Sequence, residues 1–306
     1  MSLATPLEAP RRRLISIDDG SAERRAIATI AFGPAARPVD VLFLHANGFN
    51  AMTYRQLLAP LGAEGLHVMA IDQRGHGLSR LDSTVTEGHS WLRYADDLLA
   101  LIAALGTVPR VLAGHSMGAT AVLLAAPRIA GSVATAPPMV LFDPVARPAS
   151  AAASATADPG ESPLVRGALR RNALFDSREA ALQSYLGRGA FKTWPREVIV
   201  DYLTDGLVPR AEGGMTLACA PAWEAANFIR SWAHTPDEAL CRPPAPIHIL
   251  RAEKDSTCCW DEGAESFPWP PGVRVETVAG TTHFLPMEQP ERARDALRDA
   301  VMAAGG

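Results

Sequence analysis

The stretch from Val111 to Thr120 constrains the chain most. An apolar run, Val111-Leu112-Ala113, ends abruptly in Gly114-His115-Ser116-Met117-Gly118 and passes at once into an alanine-rich segment suited to a helix. This is the pattern of a strand, a sharp turn and a helix. A serine at such a corner is forced into a strained backbone conformation, and glycines two residues before and after it remove the Cβ atoms that would collide there. Its hydroxyl then stands clear of the sheet edge. The amide of Met117 falls in the first turn of the helix, where N–H groups lack intrahelical acceptors and can face a developing oxyanion.

Around this corner, short apolar runs alternate with amphipathic ones, which predicts β-α units and a mostly parallel sheet. Arg13 to Asp18 and Arg25 to Phe32 are expected to pair antiparallel about a turn at Asp19-Gly20. Val41 to His45 is continuously apolar, as for a strand covered on both faces. Leu66 to Asp72, Met139 to Asp143, Ile247 to Leu250 and Val273 to Val278 supply further strands. Helices are expected over Tyr54 to Leu61, Trp91 to Leu105 and Gln289 to Met302. The second carries Trp91, Ala95, Leu98, Leu99, Ile102 and Leu105 on its buried stripe, with Asp96 and Asp97 toward solvent.

A long interval separates the strand ending at Asp143 from the one beginning at Ile247. It opens with Ala146 to Pro163, rich in Ala, Ser and Pro, which reads as a linker. From Leu164 to Ala233 the pattern is helical, with a capping signal at Asp176 to Glu179 ahead of Ala180 to Leu186. Aromatic residues gather here: Phe175, Tyr185, Phe191, Trp194, Tyr202, Trp223, Phe228 and Trp232. The expected organisation is a core of residues 1–145 and 235–306 with a helical cap inserted at 146–234.

Composition narrows the function. A chain of 306 residues can bury a sizeable core, and its net charge of −4 gives no electrostatic reason to expect nucleic acid or an anionic membrane as partner. Met1 to Pro10 lacks the apolar segment of a secretion signal, and no run of about 18 apolar residues appears later, so a cytoplasmic protein without stable membrane association is expected. Cys219, Cys241, Cys258 and Cys259 show no CxxC spacing, and the eight histidines are scattered. Neither a metal nor a cofactor is expected.

Five separated stretches together resemble the α/β-hydrolase fold: His45-Ala46-Asn47-Gly48, Asp72-Gln73-Arg74-Gly75-His76-Gly77-Leu78-Ser79, the Gly114–Gly118 corner, Arg251 to Asp255, and Gly280-Thr281-Thr282-His283. They fall in that family's order of nucleophile, acid and histidine. The resemblance implies an eight-stranded sheet with its second strand antiparallel, helices on both faces and a helical cap inserted after the sixth strand.

A serine hydroxyl needs a base to remove its proton as it attacks, and neutral imidazole titrates in the right range. Ser116 is the expected nucleophile and His283 the base. Asp255 is the expected acid holding the imidazole, with Asp143 the alternative, because some members of the family place the acid after the sixth strand. The oxyanion donors are expected to be the backbone amides of Met117 and Asn47, leaving the Asn47 side chain dispensable. Ala46 stands where related chains carry glycine, and His45 is expected to pack behind the loop. The pocket is expected to include Phe49, His115, Trp194, Trp223 and Phe284.

Serine at the corner excludes the aspartate chemistry of dehalogenases and epoxide hydrolases of this fold. The expected activity is that of a carboxylic-ester hydrolase acting on a small-molecule ester or acyl substrate selected by the cap. Cleavage of carbon–carbon, lactone or amide bonds is the same-fold alternative, and a non-catalytic ligand-binding member is the reading from another class.

Overall fold

Runs as short as four residues become strands here because both of their faces are covered. In Val41–Leu44, Val41 and Phe43 enter one hydrophobic cluster while Leu42 and Leu44 enter the other, and all four are buried. Burying such a side chain stabilises by roughly 1.5–3 kcal/mol. The computed structural model describes residues 7–18, 25–147, 159–231, 233–260 and 269–305. The predicted turn at Asp19-Gly20, most of the predicted linker from Ala146 to Pro163, and Trp232 lie outside the described residues.

The chain begins with β1 (Arg11–Ile17), β2 (Arg25–Phe32), β3 (Val41–Leu44), α1 (Arg55–Ala63), β4 (Val68–Ile71), α2 (Leu92–Leu105), β5 (Val111–His115), α3 (Met117–Ala130) and β6 (Met139–Phe142). An inserted region follows, with α4 (Pro163–Leu169), β7 (Leu174–Phe175), α5 (Arg178–Tyr185), α6 (Arg196–Gly206), β8 (Leu207–Pro209), β9 (Met215–Leu217) and α7 (Pro221–Ile229). The chain then returns through α8 (Asp237–Cys241), β10 (Ile247–Ala252), β11 (Val273–Val278), α9 (Leu285–Glu288) and α10 (Pro290–Ala303).

Eight strands form one sheet in the order β1-β2-β4-β3-β5-β6-β10-β11. As expected, β2 runs antiparallel to both of its neighbours, and the remaining pairs are parallel. Leu57, Leu58 and Leu61 of α1, with Leu297 and Val301 of α10, cover one face. Leu98 and Leu101 of α2, with Val122 and Leu123 of α3, cover the other. Among the described residues no helix is long and apolar enough to cross a membrane.

Three local expectations change. The inserted region is not wholly helical, because β7, β9 and β8 make a small antiparallel sheet. These strands are two or three residues long, too short to show a period of two, and the turn joining β8 to β9 uses Gly213 and Gly214 at φ 91° and 73°. The cap of α5 is Ser177, one residue beyond the predicted position, with its side chain accepting from the Ala180 amide. Asp97 does not face solvent: it is buried and takes a two-pronged bond from Arg74, Nε to Oδ2 at 2.9 Å and Nη2 to Oδ1 at 2.5 Å. That bond fixes the turn after β4 against α2.

The tightest contact of the fold lies at the end of β5. A Cβ added to Gly114 would stand 2.6 Å from the Gly118 carbonyl carbon, and one added to Gly118 would stand 2.3 Å from the Leu44 carbonyl oxygen. The first turn of α3 therefore lies directly on the ends of β5 and β3. Gly118→Ala must push backbone from backbone, and we expect it to destabilise the fold by about 1–3 kcal/mol or more. Chemical denaturation of the purified variant measures this, and an unchanged midpoint would show that the helix can move away freely.

Candidate active site

Ser116 occupies the corner between β5 and α3 with φ 54° and ψ −120°, a conformation few side chains tolerate. Its amide donates to the Phe142 carbonyl at 2.9 Å and its carbonyl accepts from the Thr120 amide at 3.0 Å, so the corner is held on both sides. The residue is only 7% exposed. Its Oγ lies 2.9 Å from Nε2 of His283, which follows β11. The histidine loop is held by Glu288, whose carboxylate accepts from the Thr282 amide and hydroxyl at 2.7 and 2.8 Å.

The other nitrogen of that ring, Nδ1, lies 2.6 Å from Oδ2 of Asp143, at the end of β6. Asp143 is 0% exposed. An isolated carboxylate in such a place would be costly, but this one is surrounded by donors. The Ala252 amide and the Ser256 hydroxyl donate to Oδ1 at 2.9 and 2.6 Å, and the Thr257 amide donates to Oδ2 at 3.0 Å. Burial pushes the Asp143 carboxyl up, but the His283 imidazole, Ser256 and Thr257 outweigh it and hold it down at about 2.

Asp255 does not meet His283. The residues after it, Ser256 and Thr257, are turned inward onto Asp143, and Asp255, at φ 53°, carries its carboxylate outward and exposed. The acid beside the imidazole is thus the alternative, Asp143. This corrects the placement expected from the Arg251-to-Asp255 stretch.

The loop after β3 uses up its amides on either side of Asn47. Ala46 donates to the Tyr54 hydroxyl at 3.1 Å, Gly48 to Nε2 of His76 at 3.0 Å and Phe49 to the Ala46 carbonyl at 3.2 Å. The Asn47 amide is left without an acceptor among the described residues. Met117, at the first position of α3, has none within its helix. The close seat of Gly118 on the Leu44 and His45 carbonyls brings the two segments side by side.

The Asn47 side chain is engaged, contrary to expectation: Nδ2 donates to the Glu224 carbonyl at 3.0 Å and Oδ1 accepts from Nδ2 of Asn227 at 2.9 Å. His45 lies behind the loop as expected, with Nδ1 donating to the Ala46 carbonyl and Nε2 accepting from the Gln73 amide.

With this geometry in view, a model of the alpha/beta hydrolase family matches residues 41–296. The chain belongs to that family. Over 263 residues this hydrolase is 26% identical to the 2-(acetamidomethylene)succinate hydrolase of Mesorhizobium japonicum, a match covering 86% of this chain and 88% of the relative. Among solved structures it is similar to E-2-(acetamidomethylene)succinate hydrolase, with a TM-score of 0.76 and 24% identity, covering 96% of this chain and 100% of that one. It is also similar to an esterase from a Rhodococcus species, with a TM-score of 0.66 and 21% identity, covering 97% and 100%.

Of the five predicted pocket residues, three form one aromatic cluster that reaches His283 through Phe284. Phe49, Trp194 and Phe284 form a mutual cluster with ring centroids 5.0, 5.6 and 6.1 Å apart, and Phe284 lies 5.8 Å from the His283 ring. His115, its ring centroid 5.0 Å from that of His283 and 6.4 Å from that of Phe49, is wholly buried and serves as a strut: Nε2 donates to the His283 carbonyl and Nδ1 accepts from the Tyr54 hydroxyl, both at 2.7 Å. Burial, with His283 close by, pushes its pKa down to about 3, so it stays neutral. Trp223 lies elsewhere, with Nε1 donating to the Arg74 carbonyl at 3.0 Å and its ring pressed against Gly75. Tyr54, which links the Ala46 amide to His115, carries no motif by which sequence reasoning could find it.

The Asp143 carboxyl, held at about 2, lies below the ordinary value of about 3.9. Its ionised form therefore contributes stability that is fully present above about pH 4 and is lost as pH falls through about 2. Asp143→Asn should flatten the loss of thermal stability across that window. Equal acid slopes in wild type and variant would show that the carboxylate is not paired.

Proposed function

We propose that this hydrolase cleaves carboxylic esters through an acyl-serine intermediate. The observation that carries the reading is the unbroken line from Ser116 Oγ to His283 Nε2, and from His283 Nδ1 to a buried, donor-surrounded Asp143. His283 takes the serine proton as Oγ attacks the acyl carbon. The amides of Met117 and Asn47 stabilise the oxyanion that forms. Asp143 holds the ring in the tautomer with Nε2 free and stabilises the imidazolium.

As the tetrahedral adduct collapses, His283 returns the proton to the leaving alkoxide and an alcohol departs. A water molecule then attacks the acyl-serine, giving its proton to the same imidazole. The acid is released and Ser116 is regenerated. The wall of Phe49, Trp194 and Phe284, contributed partly by the inserted region, is suited to hold an apolar acyl or alkyl group against the histidine, which makes that region the selector of substrate.

A second reading is amide cleavage. It is favoured by the match along most of the chain to a relative named for 2-(acetamidomethylene)succinate. The same groups serve, with the leaving nitrogen protonated by His283 in place of an oxygen. Turnover of a matched pair of ester and anilide, each with and without a carboxylate on the acyl side, separates the two readings. A kcat/KM for the carboxylated anilide above that for every ester would favour the second.

For either bond, Ser116→Ala should lower kcat by about a million-fold, and Asp143→Asn by about ten-thousand-fold. Asp255→Asn should change it by less than about twofold, because exposed surface substitutions away from the site carry little energy. Retention of a tenth of wild-type turnover by Ser116→Ala, or a larger loss in Asp255→Asn than in Asp143→Asn, would overturn the assignment.

A further inference from the structure

The side chain of Asn47 is clamped at two points of α7. It donates to the carbonyl of Glu224 at 3.0 Å and accepts from Nδ2 of Asn227 at 2.9 Å. Positions 224 and 227 lie one helical turn apart and face the same way, so the two contacts fix both the place and the rotation of the Asn47 amide group. Asn227 is itself immobilised. It is 0% exposed, its Oδ1 faces the Tyr94 hydroxyl and Nε2 of His89, each at 2.8 Å, and its carbonyl accepts from Nε1 of Trp91 at 3.1 Å. With Oδ1 occupied, Nδ2 is the group left to reach across to Asn47.

The position of Asn47 matters because its backbone amide has no acceptor among the described residues, while the amides of Ala46, Gly48 and Phe49 beside it are all engaged. A side chain fixed at both ends leaves its own backbone little freedom, and Gly48, at φ 76°, is closed in by Glu224, whose Oε1 lies 2.6 Å from where a Cβ would stand. We propose that Asn227 is a positioning residue: from the inserted region it holds Asn47 so that the Asn47 N–H points where an oxyanion develops. This rests on the reading of that N–H as an oxyanion donor. The consequence is that the inserted region does more than cover the substrate, since α7 completes the catalytic geometry of the core.

Asn227→Asp tests this with little change in volume. It keeps an acceptor for Tyr94 and His89 and replaces the donor to Asn47 with a second acceptor. Asn227→Leu removes both links and serves as the second variant. For Asn227→Asp we expect kcat to fall by about tenfold or more, part of the hundred-fold or greater effect of deleting an oxyanion donor, with KM within about twofold of wild type. Amides 45–50 should exchange hydrogen faster while those of β5 and β6 do not.

Unchanged kcat and unchanged exchange over 45–50 in both variants would overturn the proposal. So would a fall in kcat accompanied by an equal rise in KM and faster exchange throughout the sheet, which would make Asn227 structural only. If Ser116→Ala retained turnover, the hydrolase reading would fail on its own variant. The exchange measurement would still decide whether Asn227 holds the loop.

Discussion

The rest of the structure depends on a contact between backbones. Gly114 and Gly118 bring the first turn of α3 down onto the ends of β5 and β3 with no side chain between them. That approach forces Ser116 into φ 54°, a strain of roughly 1–3 kcal/mol. The surroundings over-determine it. The Ser116 amide is committed to Phe142, its carbonyl to Thr120, and the Thr120 hydroxyl in turn donates to the Val145 carbonyl and accepts from the Val145 amide. The same approach sets the amide of Met117, which has no acceptor within its helix, beside the loop that carries Asn47. The proposed nucleophile and the two proposed oxyanion donors are thus brought together by one packing event.

The second constraint is the desolvated acid. An aspartate with left-handed backbone follows each of two neighbouring strands, Asp143 directly after β6 at φ 42° and Asp255 three residues beyond β10 at φ 53°. A carboxylate can remain ionised in the interior only where donors converge on it. Those donors are two backbone amides and a hydroxyl of the segment 252–257, and they converge on the neighbouring strand's aspartate, not on the one within the segment. A loop that wraps a carboxylate from outside must turn some of its own side chains outward, and Asp255 is one of these. Ser256-Thr257, two hydroxyl residues directly after the aspartate, were the visible trace of this arrangement. They read as ordinary loop residues until the strand order β6-β10 placed them over Asp143.

What was legible in the chain is what depends on neighbours in sequence. The alternation of strands and helices, the antiparallel second strand, the corner at Ser116 and the loop at His283 follow from local pattern and chain order. What escaped depends on remote partners. Asp97 looks solvent-facing until Arg74 is brought to it, and the Asn47 side chain looks dispensable until Asn227, 180 positions away, bonds to it. Trp223 and Trp194 are the same residue type in the same inserted region, yet one packs under the turn at Gly75 and the other beside Phe284. Composition does not separate them, because their fates are set by which face of the insertion meets which end of the sheet.

Buried histidines pose a final question for the proposed reaction: why the proton of Ser116 should go to His283 and not to His45, His76 or His115. In each of those three rings one nitrogen donates to a backbone carbonyl, of Ala46, Arg74 and His283 respectively. The other accepts from the Gln73 amide, the Gly48 amide or the Tyr54 hydroxyl. No nitrogen lone pair is left to take a proton, and burial depresses all three, to about 4 in His76 and about 3 in His115. Their neutrality is itself useful. The His115 ring centroid lies 5.0 Å from that of His283, and a charge on both would cost about 3 kcal/mol at an effective dielectric constant of about 20. Of the four rings, His283 is the one whose second nitrogen meets a carboxylate, so it is the one in which an imidazolium is stabilised as it forms. The neutral rings fix the loops without competing for the proton, and the single charged partner decides where it goes.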